Sequence, residues 1–210
     1  MIYEAIDRWN TSSLFHYGVK GMKWGIRHDR QNSGRLVYRK AIKMEPKITK
    51  DISDSITRNG GEVYGLNHRL KTEGSIARKL SLGKEIKDAV RYTAILSEKD
   101  FVSQYKGIKK DLERKGYTET RCKNYFEQYR KGLVKHKSVQ TNYKTRDGYT
   151  FELQFQTKAS QNAKDKKVPL YEESRDPKTS ARRRNELIRQ MEVLANKVND
   201  PIDIDRIKEH

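Results

Sequence analysis

Cysteine, proline and tryptophan are scarce in this chain: one, four and two of 210 residues. The lone Cys122 excludes an intramolecular disulfide and a cysteine-rich metal centre. No apolar run approaches the roughly 18 residues that a membrane-crossing helix requires. The opening residues, Met1 to Trp9, contain acids and no apolar stretch, so they do not read as a secretory signal. Acidic residues are also few. There are 28 Asp and Glu against 46 Lys and Arg, a formal net charge of +18. Hydrophobic residues make up 34%, and the mean hydropathy is −1.03. The core is therefore expected to be modest, with part of the chain outside it. The expectation is a soluble protein of a reducing compartment with a polyanionic or phosphate-rich partner.

What is present is strong local patterning. The stretch from Gly148 to Thr157 follows an Arg146-Asp147-Gly148 turn and alternates strictly. Tyr149, Phe151, Leu153 and Phe155 fall on one face of a strand, and Thr150, Glu152, Gln154 and Gln156 on the other. The polar face is either a wet sheet surface or the floor of a site. Residues 138–145 form the preceding strand of a hairpin. Helical spacing marks Leu36, Ile42, Ile48, Ile52 and Ile56, with an interruption expected at Pro46. A short helix is expected near 72–82, a buried strand over 85–96, and an amphipathic helix carrying Phe101, Tyr105, Ile108 and Leu112 that stops at Gly116. A strand over 117–125 and an irregular basic loop over 126–136 follow. Leu187, Met191, Leu194 and Val198 line a C-terminal helix. The order predicts an α/β or α+β domain, a mixed β-sheet of about four to five strands flanked by helices. We place the domain at 41–180, a helical extension at 181–210, and an aromatic and basic docking segment at 1–40. Within that segment, residues 14–27 combine three glycines, three aromatics and several bases without helical or strand periodicity.

Three constellations carry chemistry. Around the start of the 72–82 helix, Lys71, Ser75 and Lys79 fall on one stripe, with Arg69 just before. Cations and a hydroxyl converging at a helix N-terminus suit a polyphosphate; alone, they equally suit a solvated basic face. Asp88 falls on an otherwise apolar strand face, where a carboxylate needs a partner or a metal. A structural pair with Arg91 or Arg69 is the plainer alternative. Glu152 is the third; if its strand lies near Asp88, two hard oxygen ligands converge beside the cradle, as Mg²⁺–nucleotide chemistry needs.

In this order the residues resemble the RelA/SpoT synthetase domain, the pyrophosphokinase of alarmone synthetases and small toxic synthetases, over about residues 65–175. Arg69, Lys71, Ser75-Ile76 and Lys79 match the R-x-K-x-x-x-S-I-x-x-K element. Asp88 matches the Asp that follows it, and Glu152-Leu153-Gln154 matches Glu-x-Gln. The resemblance implies a nucleotidyltransferase-like fold and ATP as donor, its phosphates held by Arg69, Lys71, Ser75 and Lys79 with Arg78 assisting. It implies Mg²⁺ on Asp88 and Glu152, and catalysis by Asp88, Glu152 and Gln154. His136, Lys137 and Ser138 stand at the acceptor-binding loop. There His136 replaces a tyrosine and Gln140 a histidine, and Gln156 replaces an arginine after Glu-x-Gln. The donor half is the better preserved. The helix Leu170 to Arg175 resembles that of toxin-like domains of this type. Residues 16–25 resemble a short motif of tailed-phage head-associated proteins, which implies a phage or prophage origin.

Two functions follow. One is a Mg²⁺-dependent toxin in the bacterial host cytoplasm that transfers pyrophosphate from ATP to a purine nucleotide or the 3′ end of tRNA, with an antitoxin or immunity protein as partner. The basic stretch 130–137 leans toward RNA. The other is a non-catalytic, virion-packaged nucleic-acid-binding protein on a degenerate synthetase fold, docked on capsid proteins through residues 14–27. Neither involves a membrane.

Overall fold

The computed structural model describes residues 24–130 and 136–210. The first helix, α1 (Trp24–Arg58), runs on through Pro46, so the interruption expected there does not occur. Proline removes one backbone donor and leaves the carbonyl four residues earlier without its helical partner. That residue, Ile42, is exposed, so water can serve its carbonyl. The helix is held instead by its buried stripe of Ala41, Ile48, Ile52 and Ile56. Its first residues, Trp24 to Arg27, are helical where no period was expected; residues 14–23 lie outside the described residues.

Five strands follow: β1 (Glu62–Tyr64), β2 (Arg91–Leu96), β3 (Thr118–Asn124), β4 (Val139–Lys144) and β5 (Thr150–Thr157). Their order across the sheet is β1-β2-β5-β4-β3. The β2–β5 pair is parallel and the others are antiparallel, which makes the expected mixed sheet. β2 is shorter than the sequence suggests, because residues 85–89 pair with no strand and Val90 is held by an isolated bridge to Leu70 and by the Glu152 amide. Regular strand begins where β1 and β5 can flank it. Gly148, with φ of +83°, turns the β4–β5 hairpin.

The helices are α2 (Glu73–Ser81), α3 (Phe101–Arg114), α4 (Tyr125–Arg130), α5 (Lys158–Arg175) and α6 (Ala181–Asn196). Thr72 caps α2 by accepting from the Ser75 amide at 3.3 Å. Gly116, with φ of +89°, ends α3. Residues 125–130 form a helix where a loop was expected. Asn124 explains it: its Oδ1 accepts from the Glu127 amide, and its Nδ2 donates to the carbonyls of Ile204 and Ile207. The nucleating contact is thus tertiary.

The apolar face of β5 packs under α1 and α3. Phe151 meets Tyr92 and Tyr117 edge-on and stacks with Tyr143, while Tyr105 of α3 meets Phe155. α5 crosses the opposite, polar face and carries α6 on its outer side. Beyond α6 the chain returns to β3, where His210 and Cys122 exchange backbone hydrogen bonds of 2.9 and 3.1 Å.

Candidate functional site

The register aligns a polar row across four strands. Arg91 pairs with Glu152, Glu152 with Asn142, and Asn142 with Arg121. One step along, Thr93, Gln154, Gln140 and Lys123 form a second row. The first row floors a cleft of about 300 Å³ lined by Lys79, Glu85, Lys87, Asp88, Arg121, Asn142 and Glu152. Asp88 and Glu152, the two expected acids, therefore share one cleft.

Asp88 does not lie on a strand face. It precedes β2, in the segment that Val90 ties to β5 by accepting from the Glu152 amide at 3.0 Å. Its partners are lysines, not Arg69 or Arg91. Lys71 Nζ donates to Oδ2 at 2.5 Å and Lys79 Nζ to Oδ1 at 2.8 Å. Burial works to raise the Asp88 pKa, but the bonds from Lys71 and Lys79 outweigh it and hold the carboxyl below its usual range. Arg69 turns away from the cradle. Its guanidinium pairs with Glu45 of α1 and donates to the Leu66 carbonyl at 2.8 Å. Glu45 also accepts from Thr49, whose hydroxyl lies 2.8 Å from the Tyr92 hydroxyl. Ser75 accepts from the Thr72 hydroxyl at 2.9 Å at the start of α2, and Arg78 is exposed on the same helix.

Glu152 is gripped along its own strand. Gln154 Nε2 donates to Glu152 Oε1 at 2.5 Å, and Gln154 Oε1 accepts from Lys164 of α5 at 3.1 Å. Gln154 and Gln156 are buried, so this face is a covered floor and not a wet surface. Burial pushes the Lys164 ammonium down, with Arg91 adding to the effect. Arg121, Asn142 and Lys164 were not anticipated from the sequence. The alternation of β3 and β4 held a signal for the first two, but their use depends on strand order.

The residues expected at an acceptor-binding loop are partly drawn elsewhere. His136 lies 3.3 Å from Gln140 and leans on Tyr125, ring centroids 4.7 Å apart. Burial, with Lys167 and Lys164 nearby, pushes its pKa down to about 4. The Lys137 ammonium reaches Asp200 at 2.8 Å and the Val198 carbonyl at 2.6 Å, in the C-terminal segment. The Ser138 hydroxyl is buried without a hydrogen-bond partner among the described residues. No cluster of three or more His, Cys, Asp or Glu that could hold a metal occurs among the described residues. No helix among them is long and apolar enough to cross a membrane.

Solved structures similar to the chain include the type VI effector Tas1 in complex with its immunity protein, with TM-score 0.51 and 16% identity over 79% of this chain and 95% of that one. Small alarmone synthetase 2 from Bacillus subtilis gives 0.52 and 18% over 77% and 88%. Small alarmone synthetase 1 from the same organism, bound to its product pppGpp, gives 0.50 and 18% over 79% and 92%. The chain has the α+β fold of the RelA/SpoT-like synthetases. At these identities the likeness is one of fold. Residues 11–31 match a family of unknown function, DUF7211. None of the curated proteins matches the sequence.

Proposed function

We propose that the chain is a pyrophosphokinase-type toxin of phage or prophage origin, acting in the bacterial host cytoplasm. It would transfer pyrophosphate from ATP to the 3′-hydroxyl of a purine nucleotide or a tRNA 3′ end. The observation that carries this reading is the convergence of Lys71 and Lys79 on Asp88 at the wall of the cleft that Glu152 floors. The likeness to alarmone synthetases and to an effector supports it at the level of fold. An immunity protein is the matching kind of partner.

The two lysines share the single Asp88 carboxylate, so the trio keeps a net positive charge that a stronger anion can meet. A triphosphate offers more oxygens than one carboxylate, so Lys71 and Lys79 would pass to it, with Ser75 at the start of α2 and Arg78 in its last turn. That transfer frees Asp88. Asp88 and Glu152 then suit Mg²⁺, which is usually held by one or two carboxylates together with substrate phosphates. When bound, the ion would neutralise charge on the phosphates. Gln154 fixes the Glu152 carboxylate so that it can take the acceptor's hydroxyl proton. The acceptor oxygen bonds to the β-phosphorus, the bridge to the α-phosphate breaks, and AMP leaves. Positioning supplies most of the rate. His136 would face the acceptor as a neutral ring.

The test is transfer of label from γ-³²P-ATP with Mg²⁺, with GTP, GDP, ATP, ADP and bulk tRNA as parallel acceptors. Label on a nucleotide identifies an alarmone synthetase, and label on tRNA a translation-blocking toxin. Glu152→Gln is expected to lower transfer by about a thousandfold with an unchanged melting temperature. No label on any acceptor, from folded protein, would overturn the reading.

A further inference from the structure

The outer face of α1 is strongly one-sided in charge. Between residues 35 and 50 the exposed positions are Arg35, Leu36, Arg39, Lys40, Ile42, Lys43, Pro46, Lys47 and Lys50. Six are cations and none is an acid. Glu45, the acid within this stretch, is buried against Arg69. At 3.6 residues per turn, Arg39, Lys40, Lys43, Lys47 and Lys50 fall within an arc of about 100° and extend roughly 17 Å along the axis. The ion pairs of α1 among the described residues are Arg35 with Glu73, Arg58 with Asp111, Glu45 with Arg69, and Asp51 and Asp54 with Lys115. Among the described residues, none of the five stripe cations is paired with a carboxylate.

A helix face built only for solubility gains by alternating Glu with Lys at i, i+4 spacing. Here Arg39–Lys43 and Lys43–Lys47 set like charges at that spacing, which weakens the helix. The β4–β5 hairpin tip widens the surface. Lys40 lies 5.9 Å from the Tyr149 ring centroid, and Lys144 and Arg146 are exposed beside it. The tip also brings Asp147 within electrostatic range of Lys40 and Lys47, so the patch is positive on balance.

We infer that the exposed face of α1, from Arg39 to Lys50, is a docking surface for a nucleic-acid phosphate backbone. A row of unpaired cations on a rigid helix matches a row of phosphates, and release of counterions from the nucleic acid drives the contact. An anionic membrane fits less well. Leu36 and Ile42 project about 120° apart, and the helix's continuous apolar stripe is already in the protein core. The surface lies across the sheet from the cleft and is independent of the pyrophosphotransfer reading.

The test uses the full chain and fluorescently labelled 30-nucleotide single-stranded RNA, 30-base-pair duplex RNA and 30-base-pair duplex DNA, titrated over a salt series. The triple variant Lys43→Gln, Lys47→Gln, Lys50→Gln is compared with Lys99→Gln, Lys106→Gln, Lys110→Gln, which removes the same charge from exposed sites elsewhere. Glutamine keeps helix propensity close to that of lysine, and circular dichroism checks both variants. The α1 variant should bind at least tenfold more weakly, with its log K against log salt slope reduced by about two to three. The other variant should stay within about twofold of the parent protein. The three probes show whether RNA or DNA is preferred. Equal weakening in both variants, or none in the α1 variant, would overturn the proposal. So would binding of phosphatidylglycerol vesicles without binding of any nucleic acid.

Discussion

The two faces of β5 are both covered, yet they are covered by different physics. Phe151, Leu153 and Phe155 lie fully buried among aromatic rings and the isoleucines of α1. Their neighbours need only supply volume and shape. Gln154 and Gln156 are buried under α5, and a chain of hydrogen bonds runs from Lys164 to Gln154 to Glu152, which stands half-buried in the cleft. These polar groups depend on particular neighbours, Gln154 Oε1 accepting from both Lys164 and Gln156. The apolar face therefore sets how stable the domain is, and the polar face sets where a carboxylate stands.

The largest break of this contrast is Phe151→Ala. It removes a ring that touches Tyr92, Tyr117 and Tyr143, and should cost about 3–5 kcal/mol in urea unfolding. A cost under about 1 kcal/mol would mean the face is loosely packed.

A smaller effect concerns His136. Its folded pKa is depressed to about 4 by burial, with Lys167 and Lys164 adding to it, while an unfolded histidine titrates near 6.5. As pH falls from about 6.5 toward 4, the unfolded chain takes up a proton that the folded one refuses. Stability should fall by about 2–3 kcal/mol across that window. Asp88, also held below its ordinary value, acts in the same sense but in a lower pH window. Its stabilisation is present above the ordinary aspartate range and is lost only as pH falls through its lowered value, so it does not contribute to the same window. Chemical unfolding at pH 7 and pH 4.5, with His136→Gln flattening the difference, checks the assignment.

Gln154→Leu sharpens the comparison further. The side chain keeps most of its volume, but Lys164 and Glu152 lose their shared partner. We expect about 1–3 kcal/mol of destabilisation, and a loss of any transferase activity out of proportion to it. Lys137→Gln is the mildest. It frees the segment before β4 from Asp200 and the Val198 carbonyl, at about 1 kcal/mol in thermal unfolding.

Much of this was legible in the chain. The period of two in residues 149–157 revealed both faces of β5, and the spacing of Lys71 and Lys79 set on one stripe the two lysines that meet at Asp88. Where sequence reading failed, the cause was a distant partner. Asp88 looked like a strand residue because its neighbours are apolar, but no flanking strand reaches residues 85–89. Pro46 looked like a break, but the buried isoleucine stripe of α1 outweighs one lost hydrogen bond. Residues 125–130 looked like a loop because the group that starts their helix is anchored by Ile204 and Ile207, about 80 positions away.

The sequence by itself determined most of the local elements, the excess of positive charge and the spacing of Lys71, Ser75 and Lys79, because periodicity and composition act over a few residues. Tertiary structure alone decided that Lys71 and Lys79 close on Asp88, that Arg69 serves Glu45, and that Arg121, Asn142, Glu152 and Arg91 form one row. Each of these depends on strand order and register, which follow from how the whole apolar face is buried.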